Sequence, residues 1–205
     1  MIARAPFCLV IAAPSGAGKT SATRALLEQE PGLRLSVSIT TRAMRHGETD
    51  GVHYHFRTQP EFDATAAAGG FLEHAGVFGR SYGSPRAPVE AWLAEGRDVL
   101  FDIDWQGHRQ VRERLPGRVV GLFILPPSRA ALVARLEGRG DPPETVARRM
   151  AAADAEMSHA GEFDYVVVND DFDRTVAEVR AILHAERRAR ARLPGLEGFL
   201  RTLGA

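Results

Sequence analysis

Gly18, Lys19 and Thr20 close the run Ala-Pro-Ser-Gly-Ala-Gly-Lys-Thr at 13–20, directly after the apolar stretch 7–13. A lysine and a hydroxyl at the end of a glycine-rich turn can hold phosphate. In the G-x-x-x-x-G-K-S/T pattern the loop N–H groups converge on the anion, the lysine reaches the β- and γ-phosphates of a nucleotide, and the hydroxyl faces Mg²⁺. A helix opening near Gly18 adds the positive end of its dipole. Ala13 departs from the pattern, standing where its first glycine would be. A plain strand-to-helix turn would leave Lys19, the single lysine of the chain, without a reason. Ala13, Pro14, Ser15, Gly16, Ala17, Gly18, Lys19 and Thr20 therefore read as a nucleotide phosphate loop, with Thr20 on the metal side. The loop does not say what is done with the nucleotide.

A second polar cluster starts at Ser38, carries Arg42 and Arg45, and reaches Tyr54. Two guanidinium groups flanked by hydroxyls suit a second phosphate, held by charge-assisted bonds. Alone, such a cluster is more simply a solvated basic turn. Further along come Glu73, Tyr82 and Ser84, then Asp102 and Asp104 at a strand end. Arginines follow at Arg135, Arg139, Arg148 and Arg149, and then Asn169-Asp170. Alone again, Glu73 is an exposed strand residue and the two aspartates are ordinary loop carboxylates. The seven histidines show no zinc spacing.

The elements that must position these groups alternate in type. Strands are predicted at 7–12, 99–103, 119–125 and 165–168, each short and apolar, as in strands buried on both faces. Helices are predicted at 19–30, 107–114, 128–136 and 173–190. Such alternation implies a parallel sheet wrapped by helices, with ligands at the carboxyl ends of the strands. Residues 38–96 interrupt it with period-2 stretches at 52–56 and 71–78 and helical pieces near 60–68 and 85–95, a mixed α+β insertion. The glycine-, proline- and arginine-rich stretch 138–149 opens a further helix to about residue 159. It has the composition of a mobile flap carrying cations. The arginine-rich tail after Arg187 reads as the solvated end of the last helix rather than as an RNA patch.

At 205 residues the chain suits one α/β domain with small insertions. Lys plus Arg equals Asp plus Glu, at 26 each, so no bulk charge directs it to nucleic acid or to an anionic membrane. Cys8 is the only cysteine, which excludes an intrachain disulfide and fits a reducing, cytoplasmic setting. Arg4 and the apolar run after it faintly mimic a secretory leader, but cleavage there would remove the strand that the loop requires. No run approaches the ~18 apolar residues of a membrane span.

The phosphate loop is followed, in order, by Ser-Ile-Thr-Thr-Arg-Ala-Met-Arg at 38–45, Phe-Leu-Glu-His-Ala at 71–75 and Gly-Arg-Ser-Tyr-Gly-Ser at 79–84. Then come Phe-Asp-Ile-Asp-Trp-Gln-Gly at 101–107, the arginine flap and Val-Asn-Asp-Asp at 168–171. Together these resemble the guanylate kinases over about residues 6–190. The resemblance implies a P-loop three-layer α/β/α fold with a central parallel sheet. Its core would be 1–37, 97–137 and 150–205, its mixed α+β GMP-binding insertion 38–96, and its short lid 138–149. It also implies transfer of the γ-phosphoryl group of ATP, with Mg²⁺, to GMP and dGMP.

Residue by residue, the resemblance assigns Ser38, Arg42, Arg45, Tyr54 and Tyr82 to the GMP phosphate. Glu73, Ser84 and Asp104 would read the guanine, with Asp102 close by. Arg135, Arg139 and Arg149 would surround the transferred group, and Asn169 and Asp170 would lie beside the adenine. Catalysis would rest on Lys19, Arg45, Arg139 and Arg149. Ser81 stands where the family usually has a tyrosine. The flap is one residue short before Arg149, which leaves Arg148 as the alternative there. A homo-oligomer is neither implied nor excluded.

Physical chemistry is consistent with these roles. Guanine presents N1–H and N2–H₂ along one edge, two donors that a carboxylate can accept together, and Ser84 could donate to O6. Adenine presents a lone pair at N1 and would leave the carboxylate unpaired. An unsatisfied buried group costs at least ~1–3 kcal/mol, and sites of this kind discriminate ~10⁴-fold. The nucleophile would be a phosphate oxygen, largely ionised at pH 7 because its second pKa is near ~6, so no general base is needed. Two rivals exist: an inactive protein-binding scaffold, and a kinase acting on a phosphorylated sugar. The first would be expected to lose Lys19, Thr20 or the lid arginines; the second would not need Glu73, Ser84 and Asp104 together.

Overall fold

The computed structural model describes residues 2–77, 79–138 and 142–204. In chain order the core begins with β1 (Cys8–Ala12), α1 (Lys19–Gln29) and β2 (Arg34–Leu35). A second group follows: β3 (Ile39–Thr40), β4 (His55–Phe56), α2 (Gln59–Ala67), β5 (Phe71–Val77), β6 (Arg80–Pro85) and α3 (Arg86–Ala94). The chain then returns through β7 (Val99–Asp102), α4 (Trp105–Arg114), β8 (Val119–Leu125), α5 (Arg129–Glu137) and α6 (Pro143–Met157). It ends with β9 (Tyr165–Val168), α7 (Phe172–Glu186) and α8 (Leu196–Thr202).

The five core strands form one parallel sheet in the order β2-β7-β1-β8-β9. Alternation along β1 decides its layers. Leu9 and Ile11 pack with Leu26, Val179 and Leu183 on the α1/α7 face, while Cys8 and Val10 pack with Val89, Leu93 and Val111 on the α3/α4 face. Side chains of a strand alternate faces, so a strand apolar at every position requires cover on both sides. This is the three-layer α/β/α arrangement expected from the sequence.

The second sheet, in the order β4-β3-β6-β5, docks on the core through α4. Gln110 of α4 supplies both halves of a strand-like pair to the outer strand β5: its Oε1 accepts from His74 N at 3.2 Å and its Nε2 donates to His74 O at 3.2 Å. Arg114 adds a bond to Leu72 O at 2.5 Å. The residue between those two anchors is Glu73.

Helix starts follow their caps. Thr58 and Glu61 form a capping box on α2, Ser128 caps α5 and Asp171 caps α7. The helix predicted from residue 107 begins instead at Trp105, because Asp104 accepts from Gly107 N at 2.8 Å and caps it. The last long helix stops at Glu186 rather than 190, and α8 follows unforeseen. Two of the tail arginines, Arg187 and Arg192, are not a solvated helix end, whereas Arg188 and Arg190 are exposed. Arg187 binds Glu30 at 2.6 Å and Asp98 at 2.8 Å, and Arg192 binds Glu186 at 3.0 Å with its guanidinium 4.4 Å over Phe7. They tie the end of the chain to the base of the sheet.

His108 of α4 is buried and stacked on Phe163, with ring centroids 4.1 Å apart. Neither ring nitrogen has a partner among the described residues. Burial pushes the ring down to about 4, opposed by Asp164 and Glu162 and assisted by Arg112 and Arg109. Because the unfolded chain binds the proton first, this residue removes stability as pH falls from the ordinary histidine value near 6.5 through about 4. His108→Leu is therefore expected to unfold less readily than the wild type at acid pH, by up to about 3 kcal/mol at the acid end. Denaturant melts at a series of pH values check it. A wild-type-minus-variant difference that does not change with pH would reject the assignment.

Candidate active site

β1 ends at Ala12, the chain turns over residues 13–18, and α1 begins at Lys19. Gly16 and Gly18 take φ of 95° and 102°, left-handed values that favour glycine. Gly18 also admits a close neighbour: a Cβ there would lie 2.3 Å from Asn169 Nδ2. That nitrogen donates to Ala17 O at 2.7 Å, while Asn169 Oδ1 accepts from Thr175 at 3.1 Å. Asn169 thus props the phosphate loop from behind, with both ends of its amide engaged. Arg135 donates to the Asn169 carbonyl at 2.8 Å, and Asp170 is exposed and paired with Arg174. Ala13, in the first position of the motif, packs on the core cluster.

Parallel pairing of β1 with β7 sets Ile11 beside Asp102, so both strands end at one place. Lys19 Nζ there forms an ion pair with Asp102 and donates to Ile103 O at 3.3 Å. Thr20 lines an adjoining cavity with Lys19 and Asp102.

Beyond Lys19 lies a cavity of about 300 Å³ lined by Lys19, Ser38, Tyr54, Glu73, Ala75, Tyr82, Asp102, Ile103 and Asp104. Glu73 is buried at its inner end. Burial, with a smaller push from Asp104, raises its carboxyl to about 7 against the bond from Ser84. Gly107 faces it: a Cβ on this helical residue would stand 3.2 Å from Glu73 Oε2. Ser84, expected from the sequence to donate to the base, here meets Glu73. It is fully buried, and its hydroxyl donates to Glu73 Oε1 at 2.6 Å. Ser84 therefore orients the carboxylate. Asp104 shares one oxygen with the α4 cap and still lines the cavity.

At the outer end Tyr54 and Tyr82 meet edge to face at 5.9 Å, and the Arg42 guanidinium stands 5.3 Å over the Tyr54 ring. Arg42 grips Glu48 with two bonds, at 3.0 and 2.7 Å, and Arg45 N donates to the same carboxylate at 2.7 Å. These donors hold the Glu48 carboxyl down at about 2. Glu48 was missed in the sequence; its only signal was a carboxylate at the close of the turn that carries both arginines. Arg45 itself is exposed at the rim.

Of the flap cations, Arg139 lies outside the described residues. Arg148 is exposed and Arg149 half-buried in the first half of α6. Helical periodicity places Arg149, and not Arg148, on the same face as Glu156, seven residues on. Glu156 accepts from Ser15 N of the phosphate loop at 3.2 Å.

The family described as guanylate kinase matches residues 6–186 of this chain. A guanylate kinase of Granulibacter bethesdensis is 62% identical over 201 residues, covering 98% of this chain and 94% of its own length. One from Rhodospirillum rubrum is 56% identical over 201 residues, with 98% and 92% covered. Among solved structures, the guanylate kinase of Anaplasma phagocytophilum superposes with a TM-score of 0.83 at 36% identity, covering 98% of this chain and 96% of that one.

Proposed function

The chain belongs to the guanylate kinase family, and from that premise we propose how its residues transfer the γ-phosphoryl group of ATP to GMP. It is a nucleoside monophosphate kinase. The observation that carries the residue assignment is that buried Glu73 and the phosphate-loop lysine Lys19 line one cavity of about 300 Å³. Guanine enters with N1–H and N2–H₂ toward Glu73, which Ser84 orients, and Asp104 accepts at the edge of the base. Ser38, Tyr54, Tyr82, Arg42 and Arg45 hold the GMP phosphate, Arg42 being aimed by Glu48. Loop 13–20 holds the ATP phosphates, with Asn169 bracing the loop and Asp170 on the adenine side; Arg135, expected at the transferred group, is tied in this structure to the Asn169 carbonyl and is assigned to the ATP side there.

A GMP phosphate oxygen then forms a bond to the γ-phosphorus as the bond to the β,γ-bridging oxygen breaks, and ADP leaves. Lys19, Arg45 and Arg149 neutralise charge on the group in flight, with Arg139 assigned to the same work. Thr20 and Asp102, two hard oxygen donors facing one cavity, fit Mg²⁺ carried in by ATP. The ion supplies neutralisation of phosphate charge.

We also propose the division into a core of 1–37, 97–137 and 150–205, a GMP-binding insertion of 38–96 and a lid of 138–149. Within the insertion, α3 buries Val89 and Leu93 on the core sheet, which makes it the natural base of any hinge. A cytoplasmic setting is supported by the single cysteine, which is buried and free. Among the described residues no helix is long and apolar enough to cross a membrane.

ADP release measured with Mg·ATP and each of GMP, dGMP, AMP and ribose phosphates tests the reading. GMP is expected to exceed AMP by orders of magnitude, about 10⁴-fold at the limit such sites reach, and chelation of Mg²⁺ should abolish turnover. Equal rates with AMP would reject Glu73 as the guanine reader.

A further inference from the structure

A carboxylate stands on the phosphate loop. Glu156, in the last turn of α6, brings Oε2 within 3.2 Å of Ser15 N, whose N–H it accepts. The charged groups facing it are Lys19 of α1, which attracts it, and Asp104 at the start of α4, which repels it. On the other side of the helix α5 directs Arg129 to Asp154, and beyond the helix end Arg109 of α4 holds Glu162. Burial keeps the Glu156 carboxyl above the usual carboxylate range. An acidic group is the wrong charge for a loop that binds polyanions, unless it leaves when phosphate arrives.

We propose that Glu156 is a positioning residue that holds the Ser15 N–H in the phosphate-free loop and is displaced by the entering phosphates of ATP. The exchange is one anionic acceptor for another on the same donor. Glu156 and Arg149 share a face of α6, two turns apart, so release of Glu156 from the loop frees the face that carries Arg149 from that tether. Binding of ATP is thereby coupled to the setting of a lid arginine. In the same way Lys19, held by Asp102 in the free protein, is given a phosphate to turn to. This inference rests on the reading of 13–20 as the ATP phosphate site.

The test is the dissociation constant of Mg·ATP, and separately of GMP, for the full chain and for Glu156→Gln, by calorimetry from about pH 5 to about pH 8. The variant is expected to bind Mg·ATP about three- to tenfold more tightly at the alkaline end, with GMP affinity unchanged. The advantage should shrink as pH falls, because a protonated wild-type carboxyl no longer competes for the Ser15 N–H and burial raises the pH at which that happens. Titration of the nucleotide cancels in the ratio of the two proteins, so this trend belongs to residue 156. Glu156→Ala, which removes the acceptor altogether, should move in the same direction. A structural brace would instead give weaker Mg·ATP binding in both variants and a ratio flat in pH. That result, or unchanged affinity, would overturn the proposal. Failure of the wild type to bind Mg·ATP would overturn the loop assignment, and this inference with it.

Discussion

Lys19→Ala is expected to lower kcat by about 10²–10³-fold while the protein stays folded. The residue opens α1 with its side chain pointed at the carboxyl ends of β1 and β7, toward Asp102 and Ile103 O, and not into either core cluster. In the proposed mechanism its removal takes away a positive charge from the group in flight. Asp102 loses its partner, but that carboxylate is 24% exposed and can be solvated, so the melting temperature should move little. Steady-state kinetics and a thermal melt on one preparation separate the two effects. Turnover within a few-fold of wild type would remove Lys19 from the chemistry.

Glu73→Gln is expected to lower kcat/KM for GMP by about 10²-fold and leave the KM for ATP nearly unchanged. An amide in place of the carboxylate sets one N–H₂ against a guanine donor, so one bond is lost and one repulsion gained. The preference for GMP over AMP should narrow by a similar factor. The pH dependence follows from the burial of Glu73, whose carboxyl titrates at about 7 in the free protein. Guanine donors select the ionised form, so wild-type GMP affinity should rise as pH increases through 7 and then level off. The wild-type-to-variant ratio isolates this, because the titration of the GMP phosphate cancels. Stability runs the other way. A carboxyl raised in the folded state binds its proton more tightly there than when unfolded, so wild-type stability falls as pH rises from about 4.5 to about 7. Glu73→Gln lacks that loss and should gain on the wild type above neutral pH. Loss of ATP binding in this variant would show that the two subsites had been misassigned.

Four of the five core strands were legible because each is a short run of apolar residues, whereas β2, only Arg34–Leu35, carries too little pattern to be read and becomes a strand by pairing with β7. Val119–Leu125 and Tyr165–Val168 have the bounds read from their apolar runs. β6 was not legible. Arg-Ser-Tyr-Gly-Ser-Pro has little intrinsic preference for strand, and it becomes one only between β3 and β5, where pairing supplies what propensity lacks. The start of α4 was misread for a related reason. Asp104 lies in a motif whose pattern speaks for a ligand, and its second use as the cap of Trp105–Arg114 shows only once the helix is in place.

Sequence by itself determined the phosphate loop, the parallel core and the identity of nearly every polar group in the cavity, because each is written in a local pattern: glycine spacing, apolar alternation, or a short motif in its strand-end setting. Tertiary structure alone decided which of those groups line the cavity and which hold their neighbours. Ser84 donates to Glu73, Glu48 grips Arg42, Asn169 props Ala17 and Asp102 holds Lys19. In three of these pairs, Ser84–Glu73, Asn169–Ala17 and Lys19–Asp102, the partners lie 11 to 152 residues apart in the chain. A side chain's direction depends on which strands pair and how deeply each is buried, and both are properties of the packed sheet. The shift of Glu73 to about 7 has the same origin: α4 covers it, and only a glycine at 107 lets the helix come that close.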